Sequence, residues 1–298
     1  MPLEDNLEET ILDAAPQAEN AQAAVWNGLA GRNWIEMQES LDRLFKPFED
    51  VLVEEVSLCH ARRVLDVGCG PGTTTLAVAR LPWVKGRSTG IDISEPMIGA
   101  ARARAEREGS PARFICANAQ SYPFEPGSFD TIISRFGVMF FDDPIAAFAN
   151  LRSAATDHTE LRLVVWRSPA ENHFMTTAER AAAPLLPKLP VRRPDEPGPF
   201  ALSDDRRVRT ILEESGWTQI ELRPVDVVCT LPETELIPYL SRLGPVGRML
   251  SEMDERTRAL IIDTVRPAFD RFVHGSEVRF TAACWMVSGR ATMRRSRG

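Results

Sequence analysis

Basic charge is scarce in this 298-residue chain, where 35 lysines and arginines stand against 42 acidic residues for a formal net charge of −7. Nucleic-acid binding usually needs a basic face, so no nucleic-acid partner is expected. The five cysteines, at 59, 69, 116, 229 and 284, form no C-x-x-C pair and no His–Cys cluster of zinc spacing, which argues against a disulfide scaffold and predicts no metal site. No apolar run reaches membrane-spanning length, and the opening residues carry neither a basic region nor a hydrophobic signal segment. Together these absences predict a soluble, cytoplasmic protein without membrane insertion. Before Arg32 there is no lysine or arginine, whereas Glu4, Asp5, Glu8, Glu9, Asp13 and Glu19 are acidic, so residues 1–24 read as a flexible acidic leader.

Glycine, by contrast, is concentrated. Val64–Val67 is an apolar, β-rich run containing Asp66, as expected for a strand buried on both faces of a parallel sheet. Gly68, Gly70 and Gly72 follow, allowing a turn that approaches a ligand closely, with Thr73 to Thr75 positioned to cap a helix over residues 76–81. A second strand, residues 88–91, delivers Asp92 to its carboxyl end, where open α/β sheets bind ligands. Dinucleotide sites carry G-x-G-x-x-G, whereas the spacing here is Gly68-x-Gly70-x-Gly72.

Leu65-Asp66-Val67-Gly68-Cys69-Gly70-Pro71-Gly72, followed by Gly90-Ile91-Asp92-Ile93-Ser94, resembles the glycine motif of class I S-adenosylmethionine-dependent methyltransferases. The resemblance spans about residues 61–166 and is similar to the quinone-biosynthesis and small-metabolite group. It implies S-adenosyl-L-methionine as cofactor and S-adenosyl-L-homocysteine as product. It also implies contacts from the Gly68–Cys69–Gly70 backbone and Asp66 to the methionine part, and from Asp92 to the ribose hydroxyls. Ile93 and Met97 either pack on the adenine faces or belong to the core. Asn118 stands where relatives commonly have aspartate; its amide oxygen can accept from the adenine amino group, with the Ala119 amide beside it. Arg135 either meets the cofactor carboxylate or an acidic substrate, or pairs with Asp142 or Asp143. Trp26 and Trp34 either close over the cofactor or pack beneath the N-terminal helices.

After Ser134 the Asn/Asp-Pro-Pro-Tyr/Phe motif of amino-directed nucleic-acid methyltransferases is missing, which favours a small-molecule acceptor. Methyl transfer is an in-line displacement on an activated methyl. Orientation alone can supply effective molarities of roughly 10⁵–10⁸ M, against about 10²–10⁴-fold from a general base. A catalytic base is therefore not required; His173, after the fifth strand, is the weak candidate, with a surface position as its alternative.

Alternating strand and helix signals predict an α/β fold with a doubly wound, mostly parallel seven-stranded sheet, and the resemblance implies that it is of the Rossmann-like methyltransferase type. The expected layout has N-terminal helices over the cofactor site at 25–60 and the core at 61–230. A helical insertion or lid follows at 231–275, then the final strand at 276–290 and a basic tail at 291–298. Six prolines between 184 and 199 predict an irregular connection. The rival readings are an NAD(P)-dependent oxidoreductase and a non-catalytic cofactor-binding protein with the same fold. Either a monomer or a homodimer fits the sequence.

Overall fold

The computed structural model describes residues 19–84, 87–190, 192–193 and 195–292. Four helices, α1 (Glu19–Asn27), α2 (Leu29–Glu36), α3 (Gln38–Leu44) and α4 (Lys46–Leu58), precede the sheet. The core then alternates β1 (Val64–Val67), α5 (Thr73–Ala79), β2 (Ser88–Asp92), α6 (Glu95–Glu108), β3 (Arg113–Cys116), β4 (Phe129–Arg135), α7 (Pro144–Ala154) and β5 (Ala155–Trp166). After α8 (His173–Ala182) and an irregular stretch come α9 (Asp205–Glu214) and the long strand β6 (Thr218–Pro232). Helices α10 (Leu236–Arg242), α11 (Gly244–Leu250) and α12 (Glu255–Val265) form the insertion, closed by β7 (Val273–His274) and β8 (Glu277–Arg290). Residues 1–18 of the expected leader and 293–298 of the expected tail lie outside the described residues; from Glu19 the chain is helical.

The sheet runs β3-β2-β1-β4-β5-β8-β6. Strands β1 to β5 pair in parallel, while β8 is antiparallel to both β5 and β6. Seven strands were expected on this path; an eighth, the two-residue β7, is added as a hairpin on β8 because a glycine at 275, with φ 66°, turns the chain back. All four residues of β1 are buried, as a central strand covered on both faces must be. The order reverses between β1 and β4, so the carboxyl ends of these two strands open the crevice in which such sheets bind ligands.

One expectation about the glycine turn is corrected. Helix α5 starts at Thr73 and is entered from Gly72 in the left-handed region (φ 84°), with no side-chain cap. Thr73 and Thr75 instead give their hydroxyls to carboxylates, Asp42 at 2.6 Å and Asp66 at 2.6 Å. True side-chain caps occur at Ser94, Asp143, Asp204 and Asp254.

Candidate functional site

The glycine turn and the end of β4 meet at backbone contact. A Cβ on Gly68, whose φ is +65°, would stand 2.5 Å from Gly137 Cα, and one on Gly137 would stand 2.5 Å from the Val67 carbonyl oxygen. Ser134 staples the two strands by donating to the Val67 carbonyl at 2.7 Å and accepting from the Gly137 amide at 3.1 Å. Gly70 is different. A Cβ there would meet only the Met97 sulfur, at 3.6 Å, so this part of the turn faces open space.

That space is a cavity of about 620 Å³, lined by Asp66, Gly68, Cys69, Gly70, Asp92, Ile93, Met97, Asn118, Ala119, Arg135 and Trp34 among others. Every cofactor-binding candidate is thus brought to one place. Asp92 accepts from the Gly70 amide at 2.8 Å through one oxygen and from the Ser94 amide at 2.9 Å through the other. Each oxygen keeps a further lone pair, so a vicinal diol can still be gripped. Burial raises the Asp92 pKa, opposed by the backbone donors of Ser94, Gly70 and Ile93. Burial also pushes the Asp66 carboxyl up to about 6, against the pull of the Thr75 hydroxyl and the Arg135 charge. Asn118 spends one oxygen lone pair on the Gln120 amide, 3.0 Å away, which shapes the loop after β3.

Arg135 does not pair with Asp143, which instead caps α7 by accepting from the Ala146 amide at 3.0 Å. Its guanidinium lines the cavity, donates to the Phe45 carbonyl at 3.4 Å and lies in the field of Asp42, Asp66 and Glu49. Burial lowers its pKa, although an arginine at this position stays charged. The next residue, Phe136, is held in the left-handed region at φ 66°, an unfavourable conformation for a bulky side chain. A stack on Trp166, with centroids 4.5 Å apart and planes 5° from parallel, holds it there.

His173 is not part of this site. It is exposed at the first position of α8 and does not line the cavity. Its neighbour Asn172 takes the inward position, bonding both the carbonyl and the amide of Ala283 at 2.9 Å, which turns the histidine outward.

Several cavity residues were not anticipated. Thr74, which lines the cavity, has a buried hydroxyl with no hydrogen-bond partner among the described residues. The run of three threonines was a usable signal, since a single cap needs only one. Glu179, Arg192, Tyr239, Leu240 and Val246 line the end contributed by α8, the proline-rich stretch and the insertion. No motif marks them. Glu179 receives two bonds from Arg192, one of them 2.9 Å long, so the lone carboxylate of that wall is neutralised.

The cavity at this switch point brings together two carboxylates at strand ends and an open glycine backbone. Residues 64–157 match the model of the methyltransferase domain family. An uncharacterised protein of Mycobacterium tuberculosis is 30% identical over 125 residues, which is 42% of this chain and 44% of that one. Demethylmenaquinone methyltransferase of Thermus thermophilus is 31% identical over 114 residues, 38% of this chain and 51% of its own. The chain therefore spans about half the length of the curated relatives it matches, or less. The solved structure of YcgJ from Bacillus subtilis has the same fold, with a TM-score of 0.54 at 19% identity over 83% of this chain and 98% of that one. Residues 64–157 thus resemble a methyltransferase domain, within a chain that shares the fold of the YcgJ structure. Among the described residues no helix is long and apolar enough to cross a membrane.

Proposed function

We propose that the protein binds S-adenosyl-L-methionine in the 620 Å³ cavity and transfers its methyl group to a small, largely apolar acceptor by in-line displacement. The observation that carries this reading is the continuity of the cavity. One end is the glycine turn with Asp66, Asp92 and Thr74; the other is a wall of Phe174, Met175, Tyr239, Leu240, Val246 and Phe269. A volume within the roughly 300–1,000 Å³ of small-ligand sites suits a cofactor and a compact acceptor, not a polymer.

S-adenosylmethionine, when bound, supplies an electrophilic methyl group on a sulfonium. The chain's own residues do the rest. Asp66 and Arg135 would hold the ammonium and carboxylate of the methionine part, beside the Gly68–Cys69–Gly70 backbone. Asp92 would hold the ribose diol, Ile93 and Met97 the adenine faces, Asn118 and Ala119 the adenine edge, and Trp34 the cover. With His173 outside, the site contains no histidine among its lining residues, and the acceleration comes from alignment and water exclusion. The aromatic wall is rigid. Phe174 stacks on Phe280 at 3.8 Å and meets Tyr239 at 5.4 Å and Phe269 at 5.2 Å.

Isothermal titration with S-adenosylmethionine and S-adenosylhomocysteine tests the cofactor assignment, and absence of binding by both refutes it. Formation of S-adenosylhomocysteine over a panel of apolar phenols, amines and carboxylic acids tests turnover. Binding without turnover on any acceptor would favour the non-catalytic alternative.

A further inference from the structure

The three N-terminal helices form one wall of the cavity, contributing Val25, Trp26, Ala30, Trp34, Leu41 and, just beyond α3, Phe45. They lie outside the sheet, so something must fix them to the cofactor-binding turn. Two sets of contacts do so. At the α1 end, Ser94 donates to the Trp26 carbonyl at 2.7 Å and the Glu95 amide donates to Asn27 at 2.8 Å.

At the α3 end there is a polar node. Asp42 accepts from the Thr73 hydroxyl at 2.6 Å through one oxygen and pairs with Arg104, 3.1 Å away, through the other. The same Arg104 nitrogen lies 3.0 Å from the Thr73 hydroxyl oxygen and 3.4 Å from the Pro71 carbonyl, inside the glycine turn. With its amide turned over, Gln38 would accept from Arg104 at 3.2 and 2.7 Å. The node is sheltered, with 15% of the Arg104 side chain and 23% of the Asp42 side chain exposed, so solvent screens it less than a surface pair. Asp42 also lies in the field of Arg135, whose guanidinium reaches the Phe45 carbonyl at the end of the same wall.

We infer that the Asp42–Thr73–Arg104 node is a latch between the N-terminal wall and the glycine turn, and that it sets how long the cofactor stays bound. The inference rests on the cofactor reading above and goes beyond it. Thr73, at the first position of α5, is spent on a residue 31 positions earlier instead of on its own helix end. Arg104 reads the turn directly through Pro71, so a displacement of the turn is felt by α3. Asp42 is a positioning residue: it touches no ligand, and acts by holding Trp34, Leu41 and Phe45 against the site. Its loss should raise the rate at which the wall opens while leaving the intrinsic contacts to the cofactor in place.

The test is stopped-flow dissociation of S-adenosylhomocysteine from the full chain, followed by intrinsic tryptophan fluorescence, to which Trp26, Trp34 and Trp166 contribute from the cavity wall, for the unmodified protein and for Asp42→Asn and Thr73→Val. A hydrogen bond to a charged partner is worth enough to predict an off-rate about tenfold faster in Asp42→Asn. The on-rate should change less than threefold, and the ligand-free unfolding midpoint should stay within about 3 °C of the parent. Glu108→Gln, which weakens the outer pairing of Arg104 and the exposed pair with Arg80 but leaves Asp42 and Thr73 in place, should leave the off-rate within twofold. In the double variant the two off-rate effects should be less than multiplicative, because both residues serve one contact. Should Asp42→Asn fail to fold, Thr73→Val removes at nearly constant volume the hydroxyl that donates to Asp42 and accepts from Arg104, and carries the same test. An off-rate within twofold of the parent in both variants overturns the latch and leaves the cofactor reading standing. Failure of the unmodified chain to bind S-adenosylhomocysteine overturns both.

Discussion

Replacing Gly137 by alanine adds one methyl group at the closest backbone approach in the site. The backbone at Gly137 is right-handed helical (φ −77°, ψ −42°), so alanine suits it and any penalty is steric. The new Cβ would stand 2.5 Å from the Val67 carbonyl oxygen, 2.6 Å from Gly68 Cα and 3.0 Å from the Gly68 carbonyl oxygen. Restoring ordinary contact requires the β4 end and the glycine turn to part by about 0.9 Å. Neither gives way readily. Strand β1 is fully buried between β2 and β4, the Gly68 amide is tied to the Ile91 carbonyl at 2.8 Å, and Ser134 staples the strands together. Overpacking of this kind costs about 1–3 kcal/mol. We expect a loss of about 2 kcal/mol in urea unfolding, with the midpoint falling by about 4–8 °C. Affinity for S-adenosylhomocysteine should drop by about 10–100-fold, since an ångström of displacement moves the backbone that cradles the ligand. Gly99→Ala is the matched control. Gly99 lies within α6, and a Cβ there meets nothing within 4 Å, so the change should stabilise the chain by about 0.4–1 kcal/mol and leave binding unchanged. If Gly137→Ala binds S-adenosylhomocysteine within threefold of the parent and unfolds at the same midpoint, the close approach is not a constraint and the argument fails.

Three further outcomes are expected. Asp92→Ala should weaken S-adenosylhomocysteine binding at least about 100-fold by titration calorimetry, because two charge-assisted bonds to the ribose would be lost along with the Gly70 tether; normal binding would show that the cofactor lies elsewhere. Asp66 has its pKa raised by burial from 3.8 to about 6, so in the folded chain the neutral form persists up to that pH and the carboxylate predominates above it. Its stabilising contribution is fully present below pH 4 and is lost as pH rises through 6. Between those limits the group lowers the unfolding free energy by about 3 kcal/mol, and Asp66→Asn should flatten that part of the stability profile in urea titrations. Over the same interval S-adenosylhomocysteine should bind more tightly as pH rises, since an ammonium is better held by the ionised carboxylate. Val246→Trp should fill the insertion end of the cavity, leaving S-adenosylhomocysteine affinity within threefold while abolishing methyl transfer. Loss of cofactor binding in that variant would mean that the cavity is not divided as proposed.

The donor end was legible because it is built from short-range rules. A buried strand, three glycines and an acidic residue at the end of the next strand each leave a mark within about thirty residues of chain, and the parallel topology then brings them together. The mostly parallel sheet followed from the same alternation. What escaped was long-range. Gly137 matters because of Val67 and Gly68, almost seventy residues earlier, and nothing beside it in the chain announces that contact. The threonines of the turn looked like caps; two bond carboxylates, one of them in α3, and the third has a buried hydroxyl without a partner among the described residues.

The end of the cavity proposed for the acceptor was illegible for a different reason, and the reason bears on specificity. His173 was the polar residue that sequence position placed near it, yet Asn172 occupies the inward site and the wall is instead built by Phe174, Tyr239, Val246 and Phe269. These come from a helix after β5 and from the insertion between β6 and β8, segments that the sheet topology does not constrain. The insertion is tied to the N-terminal wall, through Asn33 to the Arg242 carbonyl at 2.8 Å and Arg43 to Glu235 at 2.5 Å, more than to the glycine turn. Substitutions in α10 and α11 can therefore reshape the acceptor wall without moving Asp66, Asp92 or Gly70. Cofactor affinity and acceptor choice should accordingly respond to different sets of residues, coupled only through the N-terminal helices that touch both.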